Sequence, residues 1–422
     1  MEIISDLHLH SKYSRACSKD LDIENMEKYA RIKGVNLMGT GDFQHPKWQK
    51  ELKEKLKEDG TGILRTESGY PFMLTSEISL IYTQGGKGRK VHNVIWCKSL
   101  EVASQVSEAL LKKGRIDYDG RPIFGMNCPE FVDLMKGVDE SIEIIPAHIW
   151  TPWFSMFGSN SGFDTVKETF GDRIDKINAV ETGLSSDPEM NWRLSQLDRF
   201  SLVSFSDSHS FWPWRLGREA TVFDLKELTY DNIIKALKTK QGLKETIEVD
   251  PGYGKYHYDG HRNCNVSLSP KEANKLNKMC PRCGRPLTIG VENRVEELAD
   301  RPLGYRPENY IPFNKYIPLS DLISAVTGKA VATKTVWAEY DKLVGKLGSE
   351  YDVLRIVSRE ELEKHVTKKL ADTIIKNRNQ QIEVTPGYDG VYGVPIIGEK
   401  KIEQKEIIDV KNKQKGLQDY MS

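Results

Sequence analysis

Asp6-Leu7-His8-Leu9-His10 sets two imidazoles two residues apart at the end of an apolar stretch. Side chains alternate across a strand, so His8 and His10 leave on one face and can converge on one point. Imidazole nitrogen suits zinc, manganese or iron, and carboxylates bridge such ions. More residues of ligand type follow at comparable places. Asp42 ends a second apolar stretch in GTGDF, Glu77 lies in a third (TSEIS), His92 begins a fourth (KVHNVIW) and His148 ends a fifth (IIPAHIW). Asp207 and His209, again two apart, close a last stretch in FSDSH. His45, three residues after Asp42, is either a further ligand or the start of the following helix. Two or three closely spaced cations clamp phosphate oxygens and lower the pKa of a bridging water, so the pattern predicts hydrolysis of a phosphate ester. Neither a P-loop nor a Ser-His-Asp arrangement is visible.

A second constellation has different chemistry. His261-x2-Cys264 and, after fifteen intervening residues, Cys280-x2-Cys283 fit a tetrahedral structural zinc with no open position. His257 is an alternative to His261 as the fourth ligand. Cys17, Cys97 and Cys128 stand alone and read as ordinary small residues.

The elements that must position the first cluster alternate along the chain up to about Glu248. Expected strands are EIISDLHL, VNLMGTGD, YPFMLTSEISLIY, KVHNVIW, IEIIPAH, INAVETG and FSLVSFSDSH. Helical stretches such as IENMEKYARIKG, HPKWQKELKEKLKE, LEVASQVSEALLKKG and PEMNWRLSQLDR lie between them. This is the pattern of an α/β barrel or a doubly wound sheet, interrupted by a hairpin at QGGKGRK. In a barrel, strand ends converge on one mouth. From Asp250 a glycine- and aromatic-rich segment carries the clustered cysteines, and beyond Arg301 helical patterns dominate. The expected division is 1–248, 249–300, 301–400 and a lysine-rich tail, 401–422.

Bulk properties bound the partners. The 422 residues carry 61 basic and 61 acidic side chains, so nucleic-acid binding would rest on local patches and not on a basic coat. No apolar run approaches the ~20 residues that span a membrane, and MEIISDLHLH does not read as a signal peptide. The sparse cysteines suit a reducing compartment, and the expectation is a cytoplasmic, monomeric protein with no membrane contact.

The opening DLHLHS, a strand-end Asp, a mid-chain Glu, an isolated His and the closing D-S-H resemble the polymerase-and-histidinol-phosphatase (PHP) family. The resemblance implies a distorted (βα)7-like barrel with two to three divalent ions (zinc, manganese or magnesium). By position, His8, His10, Glu77 and Asp207 would hold the first ion and carry the catalysis. Glu77, His92 and His148 would hold the second, and Asp42 and His209 would serve the third. Some members have another histidine shortly after the opening pair; here that stretch is SKYSRA.

The whole layout, with GKYHYDGHRNC, CPRCG, VEELADRP and GYDGVYG, is similar to the endonuclease Q family of DNA repair enzymes. That similarity implies a nick on the 5′ side of a deaminated base (uracil, hypoxanthine, xanthine) or an abasic site, leaving a 3′-hydroxyl and a 5′-phosphate. The loops after His148 and His209 are aromatic. Trp150, Trp153, Phe154, Phe157, Trp212 and Trp214 are therefore expected near the mouth for base stacking, with Arg215 and Arg218 for phosphates. Gln414, Leu417, Tyr420 and Met421 resemble a sliding-clamp docking peptide. A small-molecule phosphatase shares the metal cluster but has no use for the last ~170 residues. A non-catalytic DNA- or clamp-binding scaffold is the third possibility.

Overall fold

A computed structural model describes residues 1–397. The clamp-peptide residues Gln414, Leu417, Tyr420 and Met421 lie outside the described residues.

All seven expected strands form: β1 (Glu2–Asp6), β2 (Leu37–Gly39), β3 (Pro71–Gln84), β4 (Lys87–Cys97), β5 (Glu143–Pro146), β6 (Ala179–Glu181) and β7 (Ser201–Val203). β1, β2 and β3 are parallel neighbours, β3 and β4 form the expected antiparallel hairpin, and β5 adds antiparallel to β4. β6 and β7 are a separate parallel pair. The gaps are bridged singly. Ile149 N–H donates to Glu181 O at 3.0 Å, and His10 N–H donates to Ser208 O at 3.0 Å. The buried Asp6 carboxylate accepts from Ser206 N–H (3.0 Å) and Gly217 N–H (2.8 Å), tying β1 to the chain beyond β7. The result is a distorted barrel, as the PHP resemblance implies, and not the doubly wound sheet that the alternation of strands and helices equally allowed.

Further strands, absent from the expected set, also form. β8 (Ala220–Asp224) and β9 (Leu243–Glu248) extend the sheet antiparallel from β1, joined by the helix Tyr230–Thr239. The helices against the barrel are α1 (Ile23–Lys33), α2 (Pro46–Lys55), α3 (Leu100–Leu111), α4 (Cys128–Val138) and α5 (Tyr230–Thr239). Local sequence accounts for their ends. Asp22 and Ser99 cap α1 and α3, and Asn127 forms a capping box with Glu130 at α4. The stretch 188–199 is helical only over Pro188–Asn191, with a 3-10 turn at Ser195–Leu197. Tertiary partners override its helical pattern: Asp300 takes the Ser195 N–H at 2.8 Å, and the buried Trp192 ring meets Tyr310 edge-on.

Beyond the barrel, β10 (Asp259–His261) and β11 (Val266–Leu268) form a hairpin at the cysteine cluster, followed by α6 (Val291–Leu298). α7 (Leu319–Thr327), α8 (Lys334–Leu347), α9 (Glu350–Arg355), α10 (Arg359–Glu363) and α11 (Lys368–Arg378) make the helical unit. Residues 384–395 do not continue it. Gly387 N–H donates to Gly252 O (2.9 Å), Tyr258 N–H to Gly387 O (3.0 Å) and Thr288 Oγ1 to Asp389 (2.7 Å), so GYDGVYG lies on the cysteine-bearing module. No helix among the described residues is long and apolar enough to cross a membrane.

Candidate metal centre

Glu77 is the point on which the barrel mouth converges. His8 Nε2 lies 3.7 Å from Glu77 Oε1 and 3.7 Å from Asp207 Oδ1; His10 Nε2 lies 3.3 Å from Glu77 Oε2 and 3.3 Å from Asp207 Oδ1. On its other side Glu77 Oε1 is 2.6 Å from His92 Nδ1 and 3.1 Å from His148 Nε2. Two groups thus share one carboxylate: His8, His10, Glu77 and Asp207, and Glu77, His92 and His148. The β3–β4 hairpin explains how a mid-strand Glu joins strand-end residues. It runs past the mouth, and its register pairs Ser79 with His92, leaving Glu77 and His92 diagonal on one face at the rim.

The donor set fits a divalent cation in each group. His8 Nε2, His10 Nε2, His92 Nδ1 and Asp207 Oδ1 are buried without a hydrogen-bond partner. Buried polar atoms are nearly always satisfied, so unsatisfied imidazole and carboxylate atoms converging on common points match the requirements of bound ions. Backbone strain falls at the same place. Asp42 (φ 46°), His148 (φ 31°) and Asp207 (φ 46°) all adopt left-handed conformations, which non-glycine residues hold only where the surroundings enforce them.

Outer partners orient the two opening histidines. His8 Nδ1 sits 2.9 Å from each Glu181 oxygen, and His10 Nδ1 sits 3.1 Å from Asp42 Oδ1. An N–H donated there fixes the tautomer that turns Nε2 inward. Glu181, at the end of β6, was missed by sequence reasoning; an acid ending INAVETG was its only signal. Asp42 was expected to ligate a third ion with His209, and the structure does not bring the two together in one group. His209 Nδ1 faces Asp207 O at 3.1 Å, and its ring lies 4.5 Å from that of His10. His45 stacks on Tyr13 (4.6 Å between centroids) and points to Asp117 O, away from both groups. Glu181→Gln is expected to weaken metal affinity ~10–100-fold with the fold intact, as loss of an outer carboxylate does; unchanged binding in a metal titration would show that Glu181 does not orient His8.

Charge in the cluster is tightly balanced. Burial opposes ionisation of Glu77, but the charges of Arg121 and His8 and the hydrogen bond from His10 outweigh it and hold the carboxyl well below its usual range. Burial likewise lowers the proton affinity of His8 and His10. Glu181 and Glu77 overcome this for His8, and Asp42 and Asp207 for His10, raising both well above an ordinary histidine. Burial pushes His92 down to about 4, so it is neutral over the working range. A cation must therefore displace protons from His8 and His10, and not from His92. Manganese affinity is expected to rise as pH increases through neutrality, with protons released into the buffer; a pH-independent calorimetric titration would contradict this.

The cysteine module assembles as expected. His261, Cys264, Cys280 and Cys283 bring their ligand atoms within 4.8 Å of one another. Although burial opposes it, backbone N–H groups of Arg282 and Cys283 bring the Cys280 thiol down to about 6. His257 faces Glu292 at 3.5 Å instead. The four-residue set fits a closed structural zinc.

The aromatic loops are mostly packing. Trp150, expected to stack on bases, is fully buried and donates to Asn191 Oδ1 at 2.8 Å; Phe157 is buried against it. Both follow His148 along a segment that turns back into the core, where Phe157 N–H meets Ile149 O. Trp212 and Trp214 stack at 5.2 Å and pack on Trp337 of α8, so they join the barrel to the helical unit. Phe154 lies against the His92 ring. Trp153 remains exposed, edge-on to Tyr256. Arg218 is half-buried and donates twice to Ser206 O, next to Asp207. Arg215 and Arg218 line a cavity of about 180 Å³ beside the mouth, together with Trp214, Tyr253, Asp321 and Tyr392. A larger cavity of about 850 Å³, against residues 305–311, contains none of the cluster residues.

Residues 318–381 match the family model of the MJ0043 C-terminal domain. The uncharacterised protein MJ0043 of Methanocaldococcus jannaschii is 32% identical over 303 residues, which are 70% of this chain and 36% of that protein. This chain thus spans about a third of that relative. The crystal structure of the lesion-specific endonuclease PfuEndoQ from Pyrococcus furiosus superposes with a TM-score of 0.84 at 32% identity, covering 97% of this chain and 98% of that one. A crystal structure of endonuclease Q in complex with a 27-mer duplex substrate bearing an abasic lesion at the active site superposes with a TM-score of 0.85 at 32% identity, over 96% and 100% of the two chains.

Proposed function

This chain belongs to the endonuclease Q family, and from that premise we propose that it is a DNA repair endonuclease that hydrolyses the phosphodiester on the 5′ side of a deaminated base or an abasic site. The observation that carries the proposal is the pair of ligand groups joined through Glu77 at an open barrel mouth. Ions held there would activate water and stabilise charge on the phosphate. His8, His10, Glu77 and Asp207 would hold one, and Glu77, His92 and His148 the other. Glu181 and Asp42 keep the imidazoles of His8 and His10 turned inward.

Recognition is assigned to groups around the mouth. The cavity at Arg215 and Asp321 has room for one base turned out of the stack but not for a base pair. Burial raises the Asp321 carboxyl to about 6, so near neutrality it can share a proton with the polar edge of a base. Exposed Trp153, backed by half-buried Tyr256, offers a stacking surface at the edge of the mouth. The cysteine module and helical unit extend the platform beyond what a small substrate requires.

End-labelled duplexes carrying one uracil, hypoxanthine, xanthine, abasic site or no lesion test the proposal, with manganese or magnesium supplied. A lesion-dependent nick leaving a 3′-hydroxyl and a 5′-phosphate is expected. Hydrolysis confined to small phosphate monoesters, or equal cutting of the undamaged duplex, would overturn it.

A further inference from the structure

Arg121 belongs to neither ligand group, yet its Nη1 lies 3.0 Å from Glu77 Oε2, the oxygen that faces His10. It reaches there from a loop held unusually firmly. Asp119 Oδ1 accepts from Arg15 N–H and Arg121 N–H, both at 3.2 Å. Gly120 N–H donates to Tyr13 O (3.1 Å), and Gln44 Nε2 donates to Gly120 O (2.5 Å). The loop also closes the space beside Asp42. A Cβ added at Gly120 would stand 2.2 Å from Asp42 Oδ2 and 2.3 Å from Ser14 Oγ, so only glycine fits. Asp42 Oδ2 is already occupied by Ser11 N–H (2.6 Å), Ser11 Oγ (2.7 Å) and Ser14 Oγ (2.9 Å). Its other oxygen serves His10. The carboxylate expected to hold a third ion is thereby spent on the protein, and the loop that walls it in delivers a guanidinium to the mouth.

We propose that Arg121 binds the scissile phosphate and supplies the positive charge that a third cation would otherwise provide. The side chain is about 30% exposed, and its donors beyond the one given to Glu77 have no acceptor among the described residues, leaving them free for non-bridging phosphate oxygens. Arg121 gives up no proton. Water oxygen forms the new P–O bond, the P–O3′ bond breaks, and the departing 3′ oxygen takes a proton to become a hydroxyl. The guanidinium neutralises charge on the two remaining oxygens.

The inference rests on phosphodiester hydrolysis at this site and not on DNA being the ester. It is therefore tested with inorganic phosphate and bis(p-nitrophenyl) phosphate on the manganese-loaded, full-length protein. Arg121→Ala should lower phosphate affinity by ~10- to 100-fold, the range for a charge-assisted hydrogen bond. Added guanidinium should restore part of the turnover, and Arg121→Lys should recover less than the original side chain, because ammonium cannot make the forked contact. Elemental analysis should find the same metal content in wild type and both variants. A purely structural role would change ion content or melting temperature without guanidinium rescue. Unchanged phosphate affinity in Arg121→Ala, or a third barrel ion in the wild type, would overturn the proposal. Failure of the DNA assignment would look different: normal phosphate binding with no nicking of damaged duplexes.

Discussion

Glu77→Gln is expected to abolish metal-dependent cleavage, by on the order of 10³-fold or more, beyond the ~10²–10³-fold that follows loss of a single stabilising group. The reason is geometric. One oxygen of Glu77 lies 2.6 Å from His92 Nδ1 and 3.1 Å from His148 Nε2, while the other lies 3.3 Å from His10 Nε2. No other residue belongs to both groups. An amide keeps the shape but loses the charge, and its nitrogen is a donor where an acceptor is needed. Both ions should therefore bind poorly. Metal that stabilises the wild type by mass action should no longer raise the melting temperature of the variant. If manganese shifted both melts equally, Glu77 would not be the shared ligand.

The second large effect lies where the helical unit meets the barrel. Lys33 Nζ, at the end of α1, is buried and donates to Glu350 Oε1 (2.8 Å) and Pro213 O (2.7 Å). Glu350, fully buried at the start of α9, also accepts from Leu319 N–H (2.9 Å) and Tyr340 OH (2.7 Å). α1, α7, α8 and α9 are thus tied to one carboxylate, which fixes the helical unit on the barrel. Lys33→Met would leave that carboxylate buried without its counter-charge, at a cost of about 3–5 kcal/mol. The Trp212–Trp214–Trp337 stack spans the same junction, so loosening should appear as a red shift of tryptophan emission at lower urea. Lys33→Met combined with Glu350→Gln should recover part of the loss, because the orphaned charge is gone. A single variant as stable as the wild type would show that the pair does not hold the units together.

What could be read from sequence and what could not divides along physical lines. His8 and His10 were legible because strand alternation forces them to one side, and Cys280-x2-Cys283 because thiolate spacing has few other uses. The seven barrel strands were legible as short apolar runs between amphipathic stretches. Glu181 was not, since a buried acid at a strand end looks like a surface one until its partner is known. Arg121 was hidden for the same reason: it sits in a loop whose path is set by Asp119, Gly120 and Gln44, residues with no periodic pattern. Trp150 was misplaced because nearness in sequence to His148 was taken for exposure at the mouth, whereas the segment turns inward. The short helix at Pro188–Asn191 failed for a related reason, with partners at Asp300 and Tyr310 overriding local preference.

The most direct test of the whole account is a metal titration of single-turnover nicking. Protein stripped of its barrel ions by a chelator, with zinc retained at the thiolates, is mixed with an end-labelled duplex bearing one abasic site, and manganese is added in steps. Two groups bridged by Glu77 predict that cleavage stays absent through the first equivalent and appears with the second. Cleavage by the fully stripped protein, or full activity with the first equivalent alone, would contradict it.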